Sequence, residues 1–357
     1  MILPFRKPSF GLDLGGRSLK GVQLYIKSGR VCLGKYIYYD FVDDQNFPQI
    51  QATHQRLRAL VETQELQKFN VYSALKDIEV SRFNLELPVG LPAKEVPAAL
   101  SNMLAEALNY PLEEAVYDFW PEKPASAKAL ELRYQSFAAP KEKVNERLEL
   151  LKTANLEPSS IESEMLAYLA MIKFNKYLAD TTIASSYLVL DVGETHTSVA
   201  WVVEDEIQNI SSWPNGARTI TTKISAALNI SYKAADTFKN DPTSWRQFGE
   251  KGPAARAELK AALRSFLDEL QRITDSFVEL AIQNPIKKLF MVGGGCRVRA
   301  FSAILSKHLG FSAEVVNPFR NIQIYGEHNA TDNQIGKLSE VMGLAVGLAL
   351  RDIKYDH

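Results

Sequence analysis

The sequence predicts an α/β chain built twice on one plan, and three observations carry that reading. A strand ending in Asp, a glycine turn and a second strand stand near the start, over Phe10 to Ile26. The same order returns over Tyr187 to Val203. Around both units, strand-like runs alternate with helix-like ones, the pattern of α/β proteins. A length of 357 residues suits two lobes better than one core.

Along the first stretch, Phe10 to Leu14, Leu19 to Ile26 and Val31 to Tyr39 read as strands. Gly15-Gly16 and Ser28-Gly29 between them are hairpin-turn pairs. Gln49 to Leu66 reads as a helix, then Val71 to Ala74 and Val80 to Leu87 as strands. The Pro/Gly-rich run Leu87 to Pro92 marks a boundary. Beyond it, Lys94 to Leu108 puts Val96, Leu100, Leu104 and Leu108 on one helical face. Ala115 to Ala138 is strand-rich, and Val144, Leu148 and Leu151 mark another amphipathic helix. Residues near 86–158 thus form a small α+β unit closed by Glu157-Pro158.

In the second stretch, Ile161 to Leu178 reads as a helix, and Tyr187 to Asp191 and Ser198 to Val203 as strands. Ala254 to Ile282 is a long helix, with Phe266, Leu270, Ile273, Phe277 and Leu280 at helical spacing and Asn284-Pro285 ending it. Lys288 to Val292 reads as a strand, Arg299 to Leu309 as a helix, and Ser339 to about Arg351 as the last helix.

Composition narrows the function. A formal net charge of -1 supplies no global basic field for nucleic acid or an anionic membrane, and no long Lys/Arg run offers a local one. Cys32 and Cys296 have no metal-ligand spacing and read as two small buried residues in a reducing compartment. Met1 to Phe10 lacks the apolar core of a signal peptide. The longest apolar stretch, Met342 to Leu350, is too short to span a bilayer.

Three motifs carry the chemistry. In Phe10 to Gly16 (FGLDLGG), Asp13 sits inside an apolar strand, where an unpaired carboxylate costs several kcal/mol and so needs a metal, a water or a donor. Gly15 and Gly16 let the backbone approach a ligand and turn amides toward an anion, and Lys20 follows on the next strand. Taken alone, the motif is equally a plain hairpin with a surface Asp. Tyr187 to Gly193 (YLVLDVG) repeats it with Asp191 and Gly193, followed by Thr195, Thr197 and Ser198. Loops from two such units facing across a cleft would let Asp13 and Asp191 hold a hydrated Mg²⁺ while amides grip phosphates. Leu289 to Gly295 (LFMVGGG) would lay Gly293, Gly294 and Gly295 against a flat ligand such as a base and ribose, though a Gly triplet is also a tight turn. No GxxxxGK[ST] occurs and no GxGxxG follows the first strand, which excludes a P-loop and disfavours a dinucleotide Rossmann site.

In this order the three motifs resemble the phosphate-1, phosphate-2 and adenosine elements of the actin, Hsp70 and sugar-kinase superfamily. Within it the chain resembles the type IV pilus assembly PilM family, with the FtsA family beside it. The likeness runs through FGLDLGGRSLKGVQL, NLELP, EALNYPLEEAVYDF, ANLEPSSIESEMLAYLA, YLVLDVG, ISAALNISYKAADTFK, LFMVGGG, EVVNPF and EVMGLAVGLALRD. It implies an actin-like bilobed fold, two ribonuclease-H-like lobes around a nucleotide cleft, with an α+β insertion in the first lobe. The implied parts are 1–85, 159–183 and 335–357 for the first lobe core, and 86–158 for the insertion. The second lobe core takes 184–230 and 286–334, and its helical subdomain 231–285.

The resemblance implies ATP and Mg²⁺ as ligands. Asp13, Gly15, Gly16 and Lys20 would form the first phosphate site, and Asp191, Gly193 and Thr195 the second. Asp236 and Lys239 would occupy the acidic and basic positions of an AExxK-like helix approaching the adenosine, with a solvated helix pair as the alternative. Two positions depart from the family pattern: Glu194 stands where a small residue is usual, and Asp236 where Glu is. Glu194 would repel a γ-phosphate. No residue has the clear look of a catalytic base, and weak or no ATPase activity is expected. Glu164, near a helix start, is the one candidate to orient a water, with a helix-dipole role as the alternative.

The implied function is an ATP-binding protein at the cytoplasmic face of the inner membrane, binding the short cytoplasmic tail of a PilN-like membrane protein. Further platform or motor proteins and self-association are implied too, with membrane contact only through partners. The tail would lie at the junction of the first lobe and its insertion, where Arg82 to Leu87 offers a strand edge and Tyr110 and Trp120 offer anchors. An FtsA-like membrane-tethering filament is disfavoured because the chain stops directly after a core-like helix. A small-molecule kinase would need a substrate-side base that is not legible.

Overall fold

The computed structural model describes residues 7–41, 50–122, 130–175, 177, 186–241, 249, 252–298, 300–324, 336 and 338–354. Strands β1 (Ser9–Leu14), β2 (Ser18–Lys27) and β3 (Arg30–Asp40) form an antiparallel meander. Ser28 and Gly29 turn the second hairpin with φ of 51° and 73°, the two positive values that a type I′ turn requires. Helix α1 (Ile50–Thr63) leads to β4 (Asn70–Leu75), parallel to β1. Then come β5 (Ser81–Pro88), α2 (Val96–Ala107), β6 (Ala115–Pro121), β7 (Glu131–Pro140) and α3 (Lys141–Thr153). Strand β8 (Ser160–Ser163) pairs parallel to β4 and runs into α4 (Glu164–Phe174).

The second half repeats the plan. Strands β9 (Ser186–Val192), β10 (Thr197–Val203) and β11 (Glu206–Trp213) form a meander, followed by α5 (Ala217–Leu228), α6 (Tyr232–Asn240) and α7 (Gly252–Leu280). Strand β12 (Lys288–Val292) is parallel to β9, and α8 (Phe301–Leu309) leads to β13 (Ser312–Val315), parallel to β12. Helix α9 (Gly343–Leu350) closes the described elements. The two large sheets have the orders β3-β2-β1-β4-β8 and β11-β10-β9-β12-β13, so their topologies superimpose strand for strand. The third sheet, β5-β7-β6, lies wholly within the expected insertion and its flank.

Burial explains the arrangement. Along β9, Tyr187 and Val189 join one core and Leu188, Leu190 and Val192 another, so the strand is apolar on both faces, as a covered central strand must be. Helices α4 and α9 lie between the two large sheets; all eight residues of α9 are buried, and it is apolar all round. The contact is close. A Cβ on Gly347 of α9 would stand 2.1 Å from the carbonyl oxygen of Ala167 in α4, so only glycine fits there. Behind the first sheet, α1 and α3 pack Leu57, Val61 and Leu151 against Phe10 and Leu12. Helix α3 therefore also covers the first lobe. The first meander, the β9–β10 hairpin, both glycine turns and the long α7 agree with expectation.

Three differences stand out. The helix expected over Ile161 to Leu178 begins only at Glu164, because Ser160–Ser163 pairs with β4 instead. The last helix is shorter than Ser339 to Arg351, with bounds Gly343–Leu350. Elements β11, α5 and β13 had no individual expectation. The expectations at Gln49, Leu178 and Arg299, and the divisions at 183–184 and 334–335, lie outside the described residues.

Candidate functional site

The duplicated plan brings the two Asp turns face to face. Asp13 lies one residue from the end of β1 and Asp191 one residue from the end of β9, and both are buried. Each loop closes with the same bond, Gly15 N–H donating to the Ser18 carbonyl at 3.1 Å and Gly193 N–H to the His196 carbonyl at 3.0 Å. The loops nearly touch: a Cβ on Gly16 would stand 3.3 Å from Cγ2 of Thr195. Gly15, Gly16, Gly193 and Thr195 thus converge as expected. The closing bonds occupy the amides of Gly15 and Gly193, so other N–H groups must face any anion.

Lys20 stands opposite Asp13 in register and forms an ion pair with it. The same lysine that would meet a phosphate therefore holds the first aspartate. Burial raises the Asp13 carboxyl above its ordinary range, against the pull of Lys20. Asp191 is raised well above that range by burial and by the charge of Glu164, and the Tyr168 hydroxyl donates to its Oδ1 at 3.3 Å. Glu164 opens α4 and its Oε2 lies 3.0 Å from Nε2 of His196. Burial lowers the imidazole pKa, but the hydrogen bond and charge of Glu164 outweigh it and hold His196 at about 9.

Asp236 and Lys239 are not a solvated pair. Both are buried on α6, 2.9 Å apart, and the Lys239 ammonium donates to Thr221 Oγ1 at 2.8 Å. Arg17 reaches across from the first loop to Asp236, at 2.7 Å. Glu194 does not stand alone either. The Tyr232 hydroxyl donates to it at 2.5 Å, and Arg218 Nε approaches the same oxygen at 3.4 Å while its Nη2 donates to the Gly16 carbonyl at 3.2 Å.

Two cavities meet at this line of charges. One, of about 80 Å³, holds the phosphate-loop residues together with Gly293, Gly294 and Gly295. The other, of about 840 Å³, is lined by Asp236, Asn240, Cys296 and Val298 among others. Arg17, Tyr38 and Arg297 border both. The glycine triplet thus lies at the small end, where Gly293 (φ 85°) packs on Asp191; a Cβ there would fall 2.0 Å from its Oδ1. The residue run after the triplet lines the larger cavity. Sequence reasoning missed Arg17, Tyr38, Arg218, Tyr232 and His196; each lies in a turn, a strand or an early helix turn with no motif of its own.

The donor set suits a nucleotide with a divalent ion. Lys20, Arg17, Lys76 and Arg297 supply cations, Asp13 and Asp191 supply oxygens, and 840 Å³ is the size of a small-molecule cavity. The small end is the tight part.

The described residues contain no helix long and apolar enough to cross a membrane. Comparison with curated proteins finds no match. Among solved structures, a "PilM-PilN type IV pilus biogenesis complex" is similar, with a TM-score of 0.80 and 23% identity over 97% of this chain and 98% of that one. The ethanolamine utilization protein EutJ from Carboxydothermus hydrogenoformans aligns with a TM-score of 0.51 and 15% identity, over 98% and 91%. MreB5 of Spiroplasma citri bound to ADP aligns with a TM-score of 0.46 and 14% identity, over 89% and 93%. The first of these likenesses shows the actin-like fold. The sequence itself matches the family described as Type IV pilus assembly protein PilM over residues 11–353, nearly its whole length, and the chain belongs to that family.

Proposed function

We propose that this chain acts at the cytoplasmic face of the inner membrane as an ATP-binding assembly protein of the type IV pilus platform, and binds the cytoplasmic tail of a PilN-like membrane protein. The observation that carries the partner half is a groove of about 1110 Å³ between the third sheet and the first lobe. Strand β6 forms one wall and β8 another, and each is a terminal strand of its sheet among the described residues. Two unpaired edges offer an extended peptide backbone partners. Trp120, stacked on Phe137 at 5.4 Å, with Leu166, Leu169 and Ile353, offers it apolar contact. The expected edge at Arg82 to Leu87 belongs to β5, on the opposite side of that sheet, and Tyr110 does not line the groove. The family's membership and the solved PilM-PilN complex support a PilN tail as the occupant.

The nucleotide half rests on the two facing Asp turns. In this reading Asp13 and Asp191 hold Mg²⁺ through water, and Gly15, Gly16, Lys20, Gly193 and Thr195 surround the phosphates. Asp236 and Lys239 lie on the helix that approaches the adenosine, and Gly293, Gly294 and Gly295 face the base. Bound Mg²⁺ would neutralise phosphate charge. The division at 86–158 belongs to the same reading, with α3 bridging insertion and lobe.

The test uses the full chain. Trp120→Ala should weaken binding of a PilN tail peptide in calorimetry while leaving ATP binding unchanged. Undiminished peptide affinity would overturn the groove assignment. Separately, wild type should bind ATP with Mg²⁺ and Asp191→Ala should not; no affinity in the wild type would overturn the nucleotide half alone.

A further inference from the structure

Glu164, Asp191 and His196 reach one point from three places in the chain: the first turn of α4, the end of β9 and the loop before β10. One donor atom of each lies within 4.8 Å of the other two. The set is one imidazole nitrogen and two carboxylate oxygens, a mixture that suits first-row transition ions better than Mg²⁺, which prefers oxygen and water alone. Donors bound to one ion at about 2.1 Å stand roughly 3–3.5 Å apart. Glu164 Oε2 and His196 Nε2, at 3.0 Å, are already at that spacing.

Independent features point to a cation here. His196 is only 6% exposed and Asp191 3%, so both donors sit out of bulk water. Behind Glu164 stands Asp77, 3% exposed, whose amide donates to Glu164 Oε2 at 3.4 Å and whose Oδ2 has no hydrogen-bond partner among the described residues. Asp13 and Asp77 both act electrostatically on Asp191. Four carboxylates, those of Asp13, Asp77, Glu164 and Asp191, are therefore gathered, with Lys20, Arg147 and His196 as the cations that act on them and Lys76 and Arg17 in the same pocket lining. Buried like charges of this density are neutralised by protons or by a metal. The Tyr168 hydroxyl on Asp191 Oδ1 fixes that carboxylate, as supporting partners do for metal ligands.

We infer that Glu164, Asp191 and His196 form a transition-metal site at the inner end of the phosphate pocket, one that fills without nucleotide. It differs from the Mg²⁺ of the nucleotide reading in its imidazole donor and in needing no phosphate. It shares Asp191 with that reading but does not rest on it.

The experiment uses the full-length protein, treated with chelator, dialysed and free of nucleotide. Mn²⁺ and Zn²⁺ are titrated by calorimetry, and Co²⁺ by its visible spectrum. One ion per chain is expected, with a Co²⁺ spectrum of low-symmetry nitrogen and oxygen coordination. His196→Ala and the near-isosteric Glu164→Gln should each weaken binding by at least the roughly 10- to 100-fold that loss of a supporting partner costs. Bound metal should raise the melting temperature of wild type and of neither variant, provided each variant melts cooperatively. Absence of binding by wild type, equal affinity in both variants, or binding only after ATP is added would each overturn the site. A parallel ATP and Mg²⁺ titration of the wild type keeps the two readings apart, because absence of ATP binding there overturns the nucleotide reading and leaves a nucleotide-free metal site standing.

Discussion

Arg17 and Asp236 meet at 2.7 Å across the two halves of the chain, one from the loop after β1 and the other from α6. Asp40 holds the far side of the same guanidinium, at 3.0 Å. Their side chains are 19% and 9% exposed, so water screens the pair weakly. Arg17 borders both the small phosphate end and the larger cavity, as Tyr38 and Arg297 do.

This contact predicts a latch. A denaturant double-mutant cycle on Arg17→Gln and Asp236→Asn should give a coupling energy of about 0.5–3 kcal/mol, the range for contacting residues in one network. Arg17→Gln alone should speed association of a fluorescent ATP analogue, since the cleft no longer has to break that pair. Zero coupling together with an unchanged on-rate would contradict the latch.

Glu194 leads to a second expectation. Its carboxylate is engaged by Tyr232 and Arg218, so the repulsion expected of a γ-phosphate is partly offset within the second lobe. Glu194→Ala should remove the negative charge and free Arg218 toward the pocket. ATP should then bind about tenfold more tightly, about 1.4 kcal/mol. Arg218→Ala should move affinity the other way. Calorimetry finding both variants at the wild-type value would refute the account.

The sequence made the duplicated architecture legible because the signal was local. Each Asp turn carries its own glycine and is flanked by two strands, and Leu188 to Val192 is apolar enough to require cover on both faces. The ion pairs that shape the cleft were not legible. Arg17 to Asp236 spans more than two hundred positions, and Arg218 to Gly16 nearly as many. Such contacts exist only once both lobes pack on α4 and α9. Strand β8 was read as helix for a similar reason: Ile161 suits either, and its pairing with β4 decides. Strand β13, four residues long on a sheet edge, is too short to carry a periodic signal.

Gly293 should tolerate no side chain. Its φ of 85° disfavours any L residue, and a Cβ would fall 2.0 Å from Asp191 Oδ1 and 2.7 Å from the Val192 carbonyl oxygen. Gly293→Ala should cost about 3 kcal/mol or more in chemical denaturation, near the upper end of single substitutions. The mobile end of a side chain cannot give way here, because one neighbour is backbone. A loss below about 0.5 kcal/mol would show that Asp191 has room to turn aside.

Glu162 gives the last prediction, a pH dependence with a definite sign. It sits on β8 in the wall of the groove, its side chain 10% exposed, with Arg351 Nη1 at 3.4 Å. Burial pushes its carboxyl up from 4.5 to about 7, and the attraction of Arg351 only partly opposes this. The folded chain therefore holds the Glu162 proton more tightly than the unfolded chain. Between those two values folding takes up a proton, so this contribution to stability is full below pH 4.5 and is lost as pH rises through about 7. At 1.36 kcal/mol per pKa unit the whole change is about 3 kcal/mol. Glu162→Gln keeps the shape of the protonated side chain and cannot ionise. Urea denaturation across pH 5 to 8 should show the variant gaining on wild type as pH rises, by up to that amount, with little difference at the acid end. Parallel stability curves for the two proteins over that range would rule out a raised Glu162.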